Sequence, residues 1–138
     1  MVMVKKNKFS FFFLIIILVV CLDQLTKYLF KNFWNVSMNS GSLFGLFQGS
    51  FSVLAWLSLV VIGGFFFYYE KIISTGGVLE IGSGLVVGGA IGNLIDRVLF
   101  KAVIDFISVG WWPSFNIADS AISIGIVLLI WFIWNEEN

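Results

Sequence analysis

The chain is 138 residues long, 59% hydrophobic and only 12% charged, with eight basic and eight acidic side chains and a net charge of zero. A soluble domain carries about 25% charged residues, so this balance describes a polytopic membrane protein, with no basic surface to attract nucleic acid. Histidine is absent and Cys21 is the one cysteine, which excludes Ser-His-Asp and Cys-His catalysis, an intrachain disulfide and a thiolate metal site.

Residues 1–8 carry Lys5, Lys6 and Lys8, and an uncharged apolar run follows over residues 9–22. A basic start before about a dozen apolar residues also describes a cleavable signal peptide. Leu18-Val19-Val20-Cys21 is even loosely like a lipobox, but bulky Val20 stands where a small residue should precede the cysteine. No soluble domain follows for export, so residues 9–30 are read as a retained transmembrane helix. Residues 32–50 are polar and turn-rich, a non-cytoplasmic loop with short extended pieces. Residues 51–69 form an uncharged second span, ended by Glu70 and Lys71, and Ser74-Thr75-Gly76-Gly77 makes the turn. The third span covers residues 78–97, with Glu80 near its start. Its glycines at 82, 84, 88, 89 and 92 leave one face bare for close helix approach. Residues 101–113 connect to a fourth span at 117–134, and residues 102–107 have the pattern of a short strand. Trp111 and Trp112 at one end, with Trp131 and Trp134 at the other, fit an interfacial aromatic belt. The expected fold class is an all-α polytopic membrane protein: one domain over residues 1–138, a four-transmembrane-helix bundle with a small extracytoplasmic β-containing region.

Four antiparallel spans place Asp23, Asp96, Asp105, Asp119 and Asn39 at one membrane face, and Glu70, Glu80, Glu136 and Glu137 at the other. Lys5, Lys6, Lys8 and Lys71 then oppose Lys27, Lys31, Arg97 and Lys101, an even count. If Lys27 and Arg97 are held by a site, the remaining bias puts both termini in the cytoplasm.

Ionisable groups at a membrane edge are expensive to keep and point to a working site. Asn93, Asp96 and Arg97 share one helix face at i,i+3 and i,i+4, and Asp23 and Lys27 are also i,i+4. Asn116 is placed to cap the fourth span, with Asp119 in its first turn. Taken singly, Asp119 reads as a cap, and Asp23–Lys27 and Asp96–Arg97 read as interfacial ion pairs. Asp105 interrupts an apolar strand with no basic neighbour closer than Lys101, and needs a partner. If Asp105 and Asp119 approach each other, like charges about 3 Å apart push one pKa up and leave one acid and one carboxylate sharing a proton. Such a pair can deprotonate a water and later protonate a leaving amine. The helix dipole favours the ionised form on Asp119, leaving Asp105 as the proton carrier.

Five blocks carry a resemblance: DQLTK at 23–27, NSGSLFG at 39–45, GGAIGNLIDR at 88–97, VIDFI at 103–107 and FNIADSAI at 115–122. In this order and spacing the chain closely resembles the lipoprotein signal peptidase (signal peptidase II) family of bacterial inner-membrane aspartyl peptidases. The resemblance implies that Asp105 and Asp119 are the catalytic pair, and that Asp23, Lys27, Asn39, Gly41, Asn93, Asp96, Arg97 and Asn116 shape the site and hold substrate or inhibitor. It implies cleavage of diacylglyceryl-modified prolipoproteins on the N-terminal side of the lipidated cysteine, with no metal or organic cofactor. The partners implied are the prolipoprotein and membrane lipid, approached laterally, with nothing requiring more than a monomer. The family's acids lie toward the outer face, which supports cytoplasmic termini, and its members respond to the cyclic peptide globomycin. The stretch between Lys27 and Asn39 is shorter than is usual in the family, where it builds a β-cradle over the site. That departure bears on substrate clamping and on globomycin.

Two other classes fit a short chain with membrane carboxylates. A proton-coupled transporter should hold its key acid near the midplane, reachable from both sides. Here Glu80 is the acid within the cytoplasmic half of a span, and the others crowd one face. A non-enzymatic scaffold would use the aspartates as ion pairs only.

Overall fold

The structure, a computed structural model, describes residues 9–41 and 51–137. In chain order the elements are α1 (Phe9–Phe33), β1 (Ser37–Asn39), α2 (Phe51–Phe67), α3 (Tyr69–Thr75), α4 (Gly77–Phe100), β2 (Val103–Asp105), β3 (Ile107–Val109), β4 (Trp112–Phe115) and α5 (Ile117–Glu136). Three helices, α1, α4 and α5, are long and apolar enough to cross a membrane. The pair α2 and α3, bent by 58°, makes a fourth candidate if counted as one span.

Glu70 and Lys71 do not end the second span as expected. The helix breaks at Tyr68, and α3 carries both charges on to Thr75. Both side chains are exposed, so a helix that turns aside at this end keeps its apolar residues covered while the charges stay in water. The expected turn over residues 74–77 contracts to Gly76, whose φ of 69° is the left-handed conformation that favours glycine. The first and third spans also run past their expected ends, to Phe33 and Phe100.

Helix α4 is the centre of the bundle and packs against α1, α2 and α5. Its bare face makes this possible. A Cβ at Gly89 would lie 2.5 Å from the Ala118 carbonyl oxygen of α5, and one at Gly92 would lie 2.6 Å from Oδ2 of Asp23 on α1. Phe12, Ile16, Ile72 and Val87 form the buried apolar core at the other end. There the Phe12 amide donates to Oε1 of buried Glu80 at 3.1 Å. The outward faces carry exposed Leu14, Trp56, Val60 and Ile130, as a lipid-facing surface requires.

Two small sheets sit beyond the C-terminal end of α4. Lys101 caps that helix in the left-handed conformation (φ 57°) and turns the chain back over it. β1 pairs antiparallel with β2, Ser37 opposite Asp105 and Asn39 opposite Val103. β3 and β4 form a hairpin with Ile107 opposite Phe115. The single strand expected over residues 102–107 is therefore split at Phe106. Its amide donates to the Phe115 carbonyl at 3.2 Å, and its ring stacks on Phe30 with centroids 4.4 Å apart. These contacts switch the chain from one sheet to the other.

The α4–α5 contact sets a test. Gly89→Ala has no room to accommodate a methyl group and should cost about 1–3 kcal/mol of stability. Gly63→Ala on α2, where nothing lies within 4 Å, should be neutral or stabilising by up to about 1 kcal/mol. Denaturant titration in mixed micelles reads both, and equal losses would remove the close approach as the cause.

Candidate active site

Lys27 is the most deeply buried cation among the described residues, with 1% of its surface exposed. Its ammonium lies 2.7 Å from Oδ2 of Asp23 and 2.8 Å from Oδ2 of Asp96. The ammonium also donates to Oδ1 of Asn93 at 3.2 Å. The Asp23–Lys27 pair forms as its i,i+4 spacing predicts. The Asp96–Arg97 pair does not: adjacent helix residues diverge in direction, and Asp96 turns inward to Lys27 while Arg97 lines the neighbouring cavity.

Both carboxylates have a second task. Oδ1 of Asp23 accepts the Ala118 amide at 2.9 Å, holding the first turn of α5. Oδ2 of Asp96 accepts the Ile104 amide at 3.0 Å, holding β2. Ala118 immediately precedes Asp119, and Ile104 immediately precedes Asp105. One buried cation therefore fixes the backbone beside both candidate acids. Gln24, which sequence reasoning did not single out, ties the same cluster together. Its amide donates to Oδ2 of Asp23 at 3.2 Å, to the Gly92 carbonyl at 3.1 Å and to Oδ1 of Asp96 at 3.0 Å. Its place inside the DQLTK block, next to Asp23, was the available signal.

Two asparagines hold the candidate acids themselves. The Asn93 oxygen faces Lys27 and also accepts from Nδ2 of Asn116 at 3.1 Å. A donor-only ammonium thus sets the amide's orientation, and Nδ2 of Asn93 donates to Oδ1 of Asp119 at 2.8 Å. Asn116 is the expected N-cap of α5, in a reciprocal capping box with Asp119. Its oxygen accepts the Asp119 amide at 2.8 Å, its own amide donates to Oδ2 of Asp119 at 3.2 Å, and its Nδ2 donates to Oδ1 of Asp105 at 2.9 Å. The partner that Asp105 needed is therefore an amide and not a cation. Asn39 supplies a second one, donating from Nδ2 to the other Asp105 oxygen at 3.1 Å while its own oxygen accepts the Gly41 amide at 3.0 Å.

Asp105 and Asp119 line one cavity of about 300 Å³, together with Asn39, Gly41, Asn93 and Arg97. The rest of its wall is mostly apolar, including Leu54 and Leu57 of α2, Val86 of α4 and Ile122 of α5, with the hydroxyl residues Ser58 and Ser114 interspersed. Of the candidate residues, Asp23, Lys27, Asp96 and Asn116 stand behind this wall, and the other six face it. Residues 42–45 of the NSGSLFG block lie outside the described residues. Burial pushes the Asp105 carboxyl up to about 6, the nearby Asp119 carboxylate adding to the effect against the two asparagine donors.

The signal peptidase (SPase) II family model matches residues 15–135. The chain belongs to this family. Its relatives include a lipoprotein signal peptidase of Halothermothrix orenii, 34% identical over 141 residues, covering 91% of this chain and 97% of that protein. A lipoprotein signal peptidase of Clostridium novyi is 36% identical over 143 residues, covering 89% and 97%. Among solved structures, a bacterial membrane enzyme determined by the in meso method at 2.3 Å resolution superposes with a TM-score of 0.88 at 26% identity, over 94% of this chain and 90% of that one. A second, at 1.9 Å resolution, gives 0.78 at 28% identity, over 88% and 91%. Described residues from four of the five blocks line one acid-lined cavity, and the DQLTK block stands behind it.

The raised Asp105 acidity has a defined sign. The folded state holds this proton more tightly than the unfolded chain, so the stabilisation it brings is full below about pH 4 and fades as pH approaches 6. Carbon-13 NMR of labelled aspartate carboxyls should show one group titrating near 6 that is missing in Asp105→Asn. The stability of the wild type relative to that variant should fall across the same window. A carboxyl titrating near 4 would contradict the burial seen at this position.

Proposed function

We propose that this chain is a membrane aspartyl endopeptidase that removes the signal peptide from diacylglyceryl-modified prolipoproteins, cleaving N-terminal to the lipidated cysteine. The observation that carries this reading is the shared cavity: two acids from separate elements, β2 and the start of α5, line one space with a polar end and a long apolar stretch of wall from α2, α4 and α5. Peptide-bond hydrolysis needs a paired acid and base, and a diacylglyceryl substrate needs an apolar approach. The cavity offers both.

In this mechanism Asp105 and Asp119 share one proton. Asp119, at the positive end of the α5 dipole, takes a proton from water as it attacks the scissile carbonyl, and Asp105 donates its proton to the carbonyl oxygen. The tetrahedral diol then collapses. Asp119 returns its proton to the leaving nitrogen, Asp105 recovers one from a diol hydroxyl, and the carbon–nitrogen bond breaks. Asn93, Asn116 and Asn39 hold the carboxyl groups, and Arg97 and Gly41 shape the cavity around the substrate. The finer reading has α2 and α3 together as one span, giving four, with both termini in the cytoplasm and the acids near the outer face of a single monomeric domain.

Purified protein incubated with a lipidated prolipoprotein should cleave it, and Asp105→Asn and Asp119→Asn should each lower the rate by at least about a hundredfold while the protein stays folded. With Asp105 as the acid, kcat/KM should fall as pH rises through about 6, its ionisation in the free enzyme. A rate that rises through that pH would give Asp105 the base role. Absence of cleavage by the wild type would return the transporter and scaffold readings.

A further inference from the structure

The bundle holds a second large cavity, of about 530 Å³, a size usual for ligand sites. It occupies the elbow where α2 bends into α3, at the opposite end of α4 from the acids. Lys71 and Tyr68 stand at its rim, both exposed, and Val61, Gly64 and Phe132 give an apolar interior. One polar group interrupts that interior. Ser83 is fully buried, and its hydroxyl has no hydrogen-bond partner among the described residues. A helical serine ordinarily satisfies itself on the carbonyl four residues earlier, so this hydroxyl is left for something in the cavity. An interior of oil with one buried donor, and a cation at the rim, describes the negative of an anionic amphiphile.

We propose that this elbow binds one acyl chain of an anionic membrane phospholipid. The phosphate pairs with Lys71 and the Tyr68 hydroxyl, an ester carbonyl accepts from Ser83, and the chain runs past Gly64 toward Val61. The proposal rests on the orientation proposed above only in assigning this end to the cytoplasmic leaflet. A signal-peptide helix is the rival occupant, and it is disfavoured because its basic start would meet Lys71 with like charge.

Native mass spectrometry of the full chain, titrated with phosphatidylglycerol or phosphatidylcholine of identical chains, reads binding without turnover. A failure of the peptidase reading therefore leaves this result intact. The wild type should hold one phosphatidylglycerol about fivefold more tightly than phosphatidylcholine, the contribution of one lysine near an anionic headgroup. Lys71→Glu should abolish that preference, and Ser83→Ala should weaken both lipids alike. Gly64→Leu should block both, since Gly64 lines the cavity and a Cβ there meets nothing within 4 Å. Equal binding of the two lipids by the wild type, or unchanged binding by Gly64→Leu, would overturn the proposal. So would displacement of the lipid by a synthetic signal peptide.

Discussion

A single ammonium, that of Lys27, sits where α1, α4 and the start of α5 meet, and the polar end of the bundle is built around it. Removing a cation from water is costly, and in a low-dielectric interior it persists only with close, well-aligned counter-charges. Asp23 and Asp96 provide them at 2.7 and 2.8 Å. The same two carboxylates reach onward to the Ala118 and Ile104 amides. Charge satisfaction in the interior and placement of the candidate acids are therefore one arrangement. Gly92 is part of it, because any side chain there would collide with Asp23.

Behind this cluster the interactions are charged and rigid; in front of it they are neutral amides. Asn93, Asn116 and Asn39 hold Asp105 and Asp119 with N–H donors that carry no net charge. A lysine in direct contact with either acid would lock it in the ionised form. Neutral donors orient the carboxyl groups without a charge beside them, and burial raises the Asp105 carboxyl to about 6. The two-layer construction explains why a chain with so few charges keeps Lys27 off the acids that line the cavity.

Much of this was legible in the residues. The three long apolar spans, the Asp23–Lys27 spacing and the Asn116 cap follow from local chemistry, whereas the pairing of the VIDFI and FNIADS acids came from the family resemblance. What escaped was set by contacts between distant parts of the chain. Asp96 chooses Lys27 over its neighbour Arg97 because α1 lies alongside α4, a fact with no local signature. Glu80 has the pattern of a stray acid, yet it holds the Phe12 amide 68 residues away. The break at Tyr68 is hidden because the charged pair marking the end of the apolar run is itself helical. The split at Phe106 depends on Phe30 and Phe115, neither of which its own segment contains.

The most direct measurement is residue-resolved amide hydrogen exchange of the wild type and Lys27→Met in the same micelles. If one ammonium holds both carboxylates in place, the Ile104 and Ala118 amides should be protected in the wild type and should lose that protection together in the variant. Amides of the Phe12 core at the other end should keep theirs. Loss at one of the two positions alone, or at neither, would show that Asp23 and Asp96 are held independently of Lys27.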